Sequence, residues 1–234
     1  MKKINILIII IFILMFAGIF VLGNKKTDSD AVKFKKEYEV LNGQKNDYGK
    51  EFRKLNISEN NPIVYKTAND IVSMIDNKET FAVYFGFSKC PWCRSVLPTM
   101  FEVANDLGID KIYYVDVSDI RDTKEYKDGK VEDVKAGNPG YNLLLILLKD
   151  VLDDYNLTDS EGNPVDVDEK RIYAPNIITV LGGKPEGMTT GISDSQTDPN
   201  MEITDDMKKE MYEKIKCTLE CISKESTVCE KKAC

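Results

Sequence analysis

FSKCPWCRSVLP, residues 87–98, sets Cys90 and Cys93 three positions apart with Pro91 and Trp92 between them, directly after the apolar run FAVYFGF at 81–87. Such a pair can be a redox dithiol, half of a metal site or a structural bridge. Its flanks favour the first. FAVYFGF is aromatic and β-branched, which predicts a buried strand. Pro91 suits the first turn of a helix. Pro98 would delete one backbone hydrogen bond inside that helix, and Gly108 would end it. Cys90 then stands at the helix amino terminus, where unpaired N–H groups and the dipole stabilise a thiolate. Lys89 and Arg94 are expected to add positive charge. Cys93 falls one turn later, so Cys90 would attack a disulfide and Cys93 would resolve the mixed disulfide. Trp92, the sole tryptophan, is either a half-exposed apolar residue of the first turn or a contact for substrate peptides beside the sulfur.

Working outward, the helix TANDIVSMIDNK (67–78), capped by Thr67 or Asn69, precedes the strand, and KIYYVDV (111–117) is the next strand. Residues 119–171 read as an insertion: a charged loop, then an apolar helix YNLLLILLKDVLDDYN, then a hairpin or turn in LTDSEGNPVDVDEKR. RIYAPNIITVL (171–181) reads as a strand, GGKPEG as a turn, MTTGIS as an antiparallel edge strand, and 204–224 as a closing helix with Met207, Met211, Ile215 and Leu219 at helical spacing. Strands alternating with helices and then a hairpin imply an α/β fold, a mixed sheet with helices on both faces.

Residues 1–23 read as a membrane anchor or signal. Lys2 and Lys3 precede a run from Ile4 to Leu22 that only Asn5 interrupts, long enough for a bilayer core. The two lysines favour an inside amino terminus. The expected location is therefore the cell membrane, with the domain extracytoplasmic, or secretion if the leader is cleaved. Residues 24–60 read as a polar spacer, with helical patches in AVKFKKEYEVL and a strand or turn near Phe52–Ile57. The domain proper spans 61–224, and 225–234 form a cysteine-bearing tail.

The net charge is −7 and histidine is absent. This removes Ser-His-Asp and Cys-His nucleophiles and the usual catalytic zinc sets. No basic stripe points to nucleic acid. No cofactor or metal is expected, since a dithiol carries two electrons by itself. Cys217, Cys221, Cys229 and Cys234 read as structural disulfides, with a second redox relay and metal binding as alternatives. A nested pairing, Cys221 with Cys229 and Cys217 with Cys234, is favoured among the three possible.

FAVYFGFSKCPWCRSVLP resembles the active-site region of the thioredoxin superfamily, in which a Cys-x-x-Cys opens a proline-kinked helix. YAPNIITVLGGKPEGMTTG resembles the distal part of that fold. The likeness covers about 65–222, interrupted by 119–171, and the chain looks like membrane-anchored relatives such as bacteriocin-transport accessory proteins. It implies a cis Ala174–Pro175 bond facing the cysteines, with the Ala174 backbone pairing with a substrate peptide. It also implies partners: exported proteins with thiols or disulfides, and a redox partner that recycles the pair. Two departures stand out. The family's buried acid, six residues before the first cysteine, is replaced by Tyr84, which leaves water or an acid from elsewhere, Glu79 or Asp116, to take the proton of Cys93. The Pro-Trp dipeptide also lacks the histidine of strong oxidants. The direction of electron flow stays open, and so does a rival reading as an accessory binding module of an export system.

Overall fold

Strand β2 (Phe81–Gly86) is buried along its whole length in the centre of a five-stranded sheet. It pairs in parallel with β3 (Ile112–Asp116), which pairs in parallel with β1 (Ile63–Tyr65). On its other side it pairs antiparallel with β8 (Asn176–Leu181), and β8 pairs antiparallel with β9 (Lys184–Thr189). This mixed order, β1-β3-β2-β8-β9, comes from a computed structural model that describes residues 28–223.

Alternation along β2 builds two cores, because successive side chains leave a strand on opposite faces. Ala82 and Tyr84 face one core, with Phe34 and Tyr38 of α1 (Asp30–Glu39), Val96 and Met100 of α3 (Pro91–Asp106), and Met211 and Ile215 of α5 (Asp205–Leu219). Phe81, Val83 and Phe85 face the other, with Ile71 of α2 (Ala68–Asp76) and Leu144 of α4 (Pro139–Leu147). The expected α/β class with helices on both faces is what forms. Of the two cap candidates, Thr67 caps α2, in a reciprocal box with Asp70.

The insertion departs from its expected helical character. Residues 119–138 contain a hairpin of β4 (Thr123–Lys127) and β5 (Lys130–Lys135), closed by Asp128 and Gly129, both at positive φ. Asp-Gly between short strands is a hairpin signal, here hidden by the charge around it. The apolar helix is only α4. Residues 153–156, expected to continue it, start β6 (Asp153–Thr158), which pairs with β7 (Pro164–Arg171). Arg171 ties the insertion's two ends, its Nη1 donating to both carboxylate oxygens of Asp122 at 2.8 and 2.9 Å.

The segment read as a spacer belongs to the core. Phe34 and Tyr38 are fully buried, as are most of Phe52, Leu55 and Ile57. Residues 52–57 form no strand. Arg94 holds this segment: its guanidinium donates to the carbonyls of Tyr38, Arg53 and Ser88 and to Asn42. The strand expected at 188–193 lies earlier, at β9, and α5 ends at Leu219 with a 3-10 turn over Glu220–Ile222. Strand β1, whose three residues carry too short a pattern to read, was not anticipated. Among the described residues no helix is long and apolar enough to cross a membrane. The anchor expected at 1–23 lies outside them.

Candidate functional site

Cys90 and Cys93 sit where β2 gives way to α3. Cys90 is the N-cap of α3, and Pro91 occupies its first turn. The Cys90 amide donates to the Phe87 carbonyl at 3.1 Å, closing the turn out of β2. The Cys93 amide donates to the Cys90 sulfur at 3.1 Å, so an orphan N–H of the helix terminus addresses the sulfur directly. Both cysteines are free thiols. Cys93 is sealed from solvent, and Cys90 keeps about 3% of its surface exposed.

The two sulfurs are driven apart in acidity. For Cys90, burial opposes the thiolate, but the Cys93 thiol, the Cys93 and Trp92 amides and the charge of Arg121 outweigh it, so its pKa falls below that of an ordinary thiol. Burial, and then the neighbouring Cys90, push Cys93 far up. One thiol is thus prepared to ionise, and the other is held protonated until the first is consumed.

The cation that acts on Cys90 is not one of those expected from the sequence. Arg94 is turned into the core to hold residues 38–53, and Lys89 is exposed. Arg121 comes from the root of the insertion and packs over the Phe87 ring, 5.2 Å from its centroid. No local pattern could have pointed to a residue 31 positions after Cys90; the parallel β2–β3 pairing brings it there, since both strands end at the cysteine edge of the sheet.

Ala174 and Pro175 lie just before β8, and their peptide bond is cis. The Cys90 thiol donates to the Ala174 carbonyl at 3.2 Å. The backbone segment expected to meet a substrate therefore lies against the Cys90 sulfur. Trp92 is half-buried and packs against the core, with its carbonyl accepting from Ser95 at 2.8 Å. Pro98 is exposed on the outer face of α3. Neither expected proton acceptor serves Cys93. Glu79 is exposed at the opposite end of β2, and Asp116 is exposed and accepts from the Ser118 amide and hydroxyl.

Cys217 and Cys221 are both disulfide-bonded. Cys217 lies on α5 and Cys221 on the 3-10 turn rather than one α-helical face. Cys229, Cys234 and the nested pairing lie outside the described residues. Among the described residues no cluster of three or more histidine, cysteine or acidic side chains could hold a metal.

No family model matches the chain, and no curated protein matches it. Among solved structures it is similar to thioredoxin O2 from Arabidopsis thaliana in the oxidized state, at 16% identity and a TM-score of 0.30, covering 55% of this chain and 82% of that one.

Proposed function

We propose that this chain is a thioredoxin-like thiol–disulfide oxidoreductase that works through Cys90 and Cys93. The observation that carries the reading is the Cys93 amide aimed at the Cys90 sulfur across 3.1 Å, in a pair whose first thiol is acidified and whose second is not. Cys90 thiolate attacks one sulfur of a substrate disulfide. The S–S bond breaks, and its electron pair leaves on the other substrate sulfur, which takes a proton from solvent. Cys93 then loses its proton and attacks the Cys90 sulfur. The mixed disulfide breaks, the second substrate thiolate departs, and Cys90 and Cys93 are left oxidised by two electrons. The reverse sequence oxidises a substrate dithiol.

The setting we propose is outside the membrane. Its support is the sequence: Lys2 and Lys3 ahead of an apolar run from Ile4 to Leu22, in a chain that carries further cysteines as disulfides. The substrates would then be exported proteins with thiols or disulfides. Peptides would dock beside Trp92 and along the Ala174 backbone.

Reduction of insulin disulfides with dithiothreitol as electron donor tests the reading. The wild-type protein should accelerate it, Cys90→Ser should abolish the acceleration, and Cys93→Ser should accumulate covalent adducts with substrate. A wild-type protein no faster than dithiothreitol alone would refute the enzyme.

A further inference from the structure

We propose that Asn176 is a positioning residue of this site: it fixes the turn at 173–176 so that the Ala174 carbonyl rests on the Cys90 thiol, where it restrains ionisation of that thiol and stands ready for a substrate backbone. The inference rests on the redox reading above and deepens it, by naming what sets the reactive sulfur against the peptide-docking segment.

Asn176 opens β8 and is fully buried, opposite Phe85 of β2. Asparagine is poorly suited to a strand, and burying its carboxamide costs free energy unless both ends find partners. Both do. Its Oδ1 accepts from the Tyr173 amide at 2.6 Å, and its Nδ2 donates to Met188 Sδ at 3.1 Å. Met188 stands on β9, paired with Ile178 of β8. The side chain therefore turns back across the start of its own strand and ties Tyr173 to the sheet. The other end of Tyr173 is held as well: its hydroxyl donates to the Asp154 carbonyl at 3.2 Å and accepts from the Asn156 amide at 3.1 Å, both on β6. Ala174 lies between Tyr173 and Asn176, and its carbonyl accepts from the Cys90 thiol at 3.2 Å.

The direction of the Cys90 contact gives this clamp a chemical consequence. A carbonyl oxygen can accept from a thiol but not from a thiolate, so the hydrogen bond favours the protonated form. It opposes the Cys93 and Trp92 amides, which favour the anion. Cys93 on α3, Tyr84 on β2 and Arg121 in the insertion also act on Cys90, Lys89 beside it is exposed, and Tyr173 is the titratable group of the turn itself. A peptide N–H arriving at the Ala174 carbonyl competes with the thiol for it. Docking of a substrate and release of the thiol are thereby joined at one oxygen, and Asn176 decides where that oxygen stands.

The test measures both consequences, because they run in opposite directions. Asn176→Ala removes the two hydrogen bonds of the clamp and none of the groups that act on Cys90 directly. The pH midpoint for alkylation of Cys90 by iodoacetamide should fall by about half a unit, the share of one hydrogen bond to the neutral form. KM for insulin in the dithiothreitol-driven reduction should nevertheless rise about threefold or more. Cys93 should stay unmodified, whereas a merely loosened fold would admit iodoacetamide to it. Met188→Leu nearly conserves volume and removes only the acceptor of Nδ2, so it should shift the midpoint and KM in the same directions by less. An unchanged or raised midpoint, an unchanged KM or alkylation of Cys93 in Asn176→Ala overturns the inference and leaves the redox reading intact. If Asn176→Ala does not fold, Met188→Leu decides on the same three criteria. A wild-type protein that does not accelerate insulin reduction refutes the redox reading, while the alkylation midpoints still judge the clamp.

Discussion

The amide of Cys93 and the sulfur of Cys90 are 3.1 Å apart, donor to acceptor, at the first turn of α3. The same sulfur, as a thiol, donates to the Ala174 carbonyl at 3.2 Å. Ionisation strengthens the first contact and removes the second, so the balance at this sulfur depends on which backbone group wins. Burial works against the anion, while the Cys93 thiol, two amides and Arg121 work for it, and the net direction is down. The alkylation rate of Cys90 by iodoacetamide should therefore rise with pH along a curve whose midpoint lies below the ~8.5 of a free thiol. Cys93 should remain unmodified throughout the same range. A midpoint at or above that of glutathione, measured alongside, would refute the assignment of Cys90 as nucleophile.

Arg121 is a cation acting on that sulfur, and it does so from the Phe87 ring face. Arg121→Gln preserves much of the side-chain length and removes the charge. It should raise the alkylation midpoint of Cys90 by a fraction of a unit and lower the reactivity at neutral pH about two- to threefold, a modest loss because the helix-terminus hydrogen bonds remain. Added salt should narrow the difference between the two proteins. Equal midpoints at low ionic strength would mean that Arg121 does not act on Cys90.

How much of this site the sequence disclosed follows the range of the interactions. The strand, the turn and the helix around Cys90 are contiguous, and each has a local signal: the apolar run 81–87, Pro91 in the first helical turn, the spacing of the cysteines. The mixed sheet with helices on both faces followed from periodicity, and the cis Ala174–Pro175 bond beside the cysteines from resemblance. What stayed hidden depends on distant pairing. Arg121 reaches the site through the β2–β3 register. Arg94 lies beside the cysteines in sequence, yet its donors serve the backbone of residues 38–53. In α1, expected as a helical patch, Phe34 and Tyr38 stand four apart on one buried face, and it is the burial of that face that the surrounding lysines and glutamates masked. The residues 153–156 switched from expected helix to strand because pairing with β7 outweighs the leucine-rich pattern before them.

Arg94 carries a stability prediction. Its side chain is fully buried and faces carbonyl oxygens and Asn42 rather than a carboxylate. Arg94→Met would fill most of the volume but leave the carbonyls of Tyr38 and Arg53 without a donor. Hydrogen bonds to a charged group are each worth roughly 1.5–3 kcal/mol net, so the variant should lose about 3 kcal/mol in urea unfolding. Because those partners lie in residues 38–53, that segment should also become the first site of proteolytic cleavage. A variant that unfolds at the wild-type urea concentration would mean that the guanidinium is not what holds the segment.

Glu210 gives a pH dependence distinct from the thiols. Its carboxylate accepts from Lys214, from the Ser193 hydroxyl and from the Asp194 amide, joining α5 to the loop after β9. These donors, Lys214 first, hold its pKa down to about 2, against about 4.3 in an unfolded chain. A depressed folded value means that the contribution is complete above the unfolded pKa and is lost as pH falls from there through the folded one. Glu210→Gln should therefore unfold at lower urea than wild type at pH 6, and the gap should close between about pH 4.5 and 2. The side chain is about 33% exposed, so salt should shrink the gap at every pH. A gap of constant size down to pH 2 would show that Glu210 contributes through packing and not through its charge.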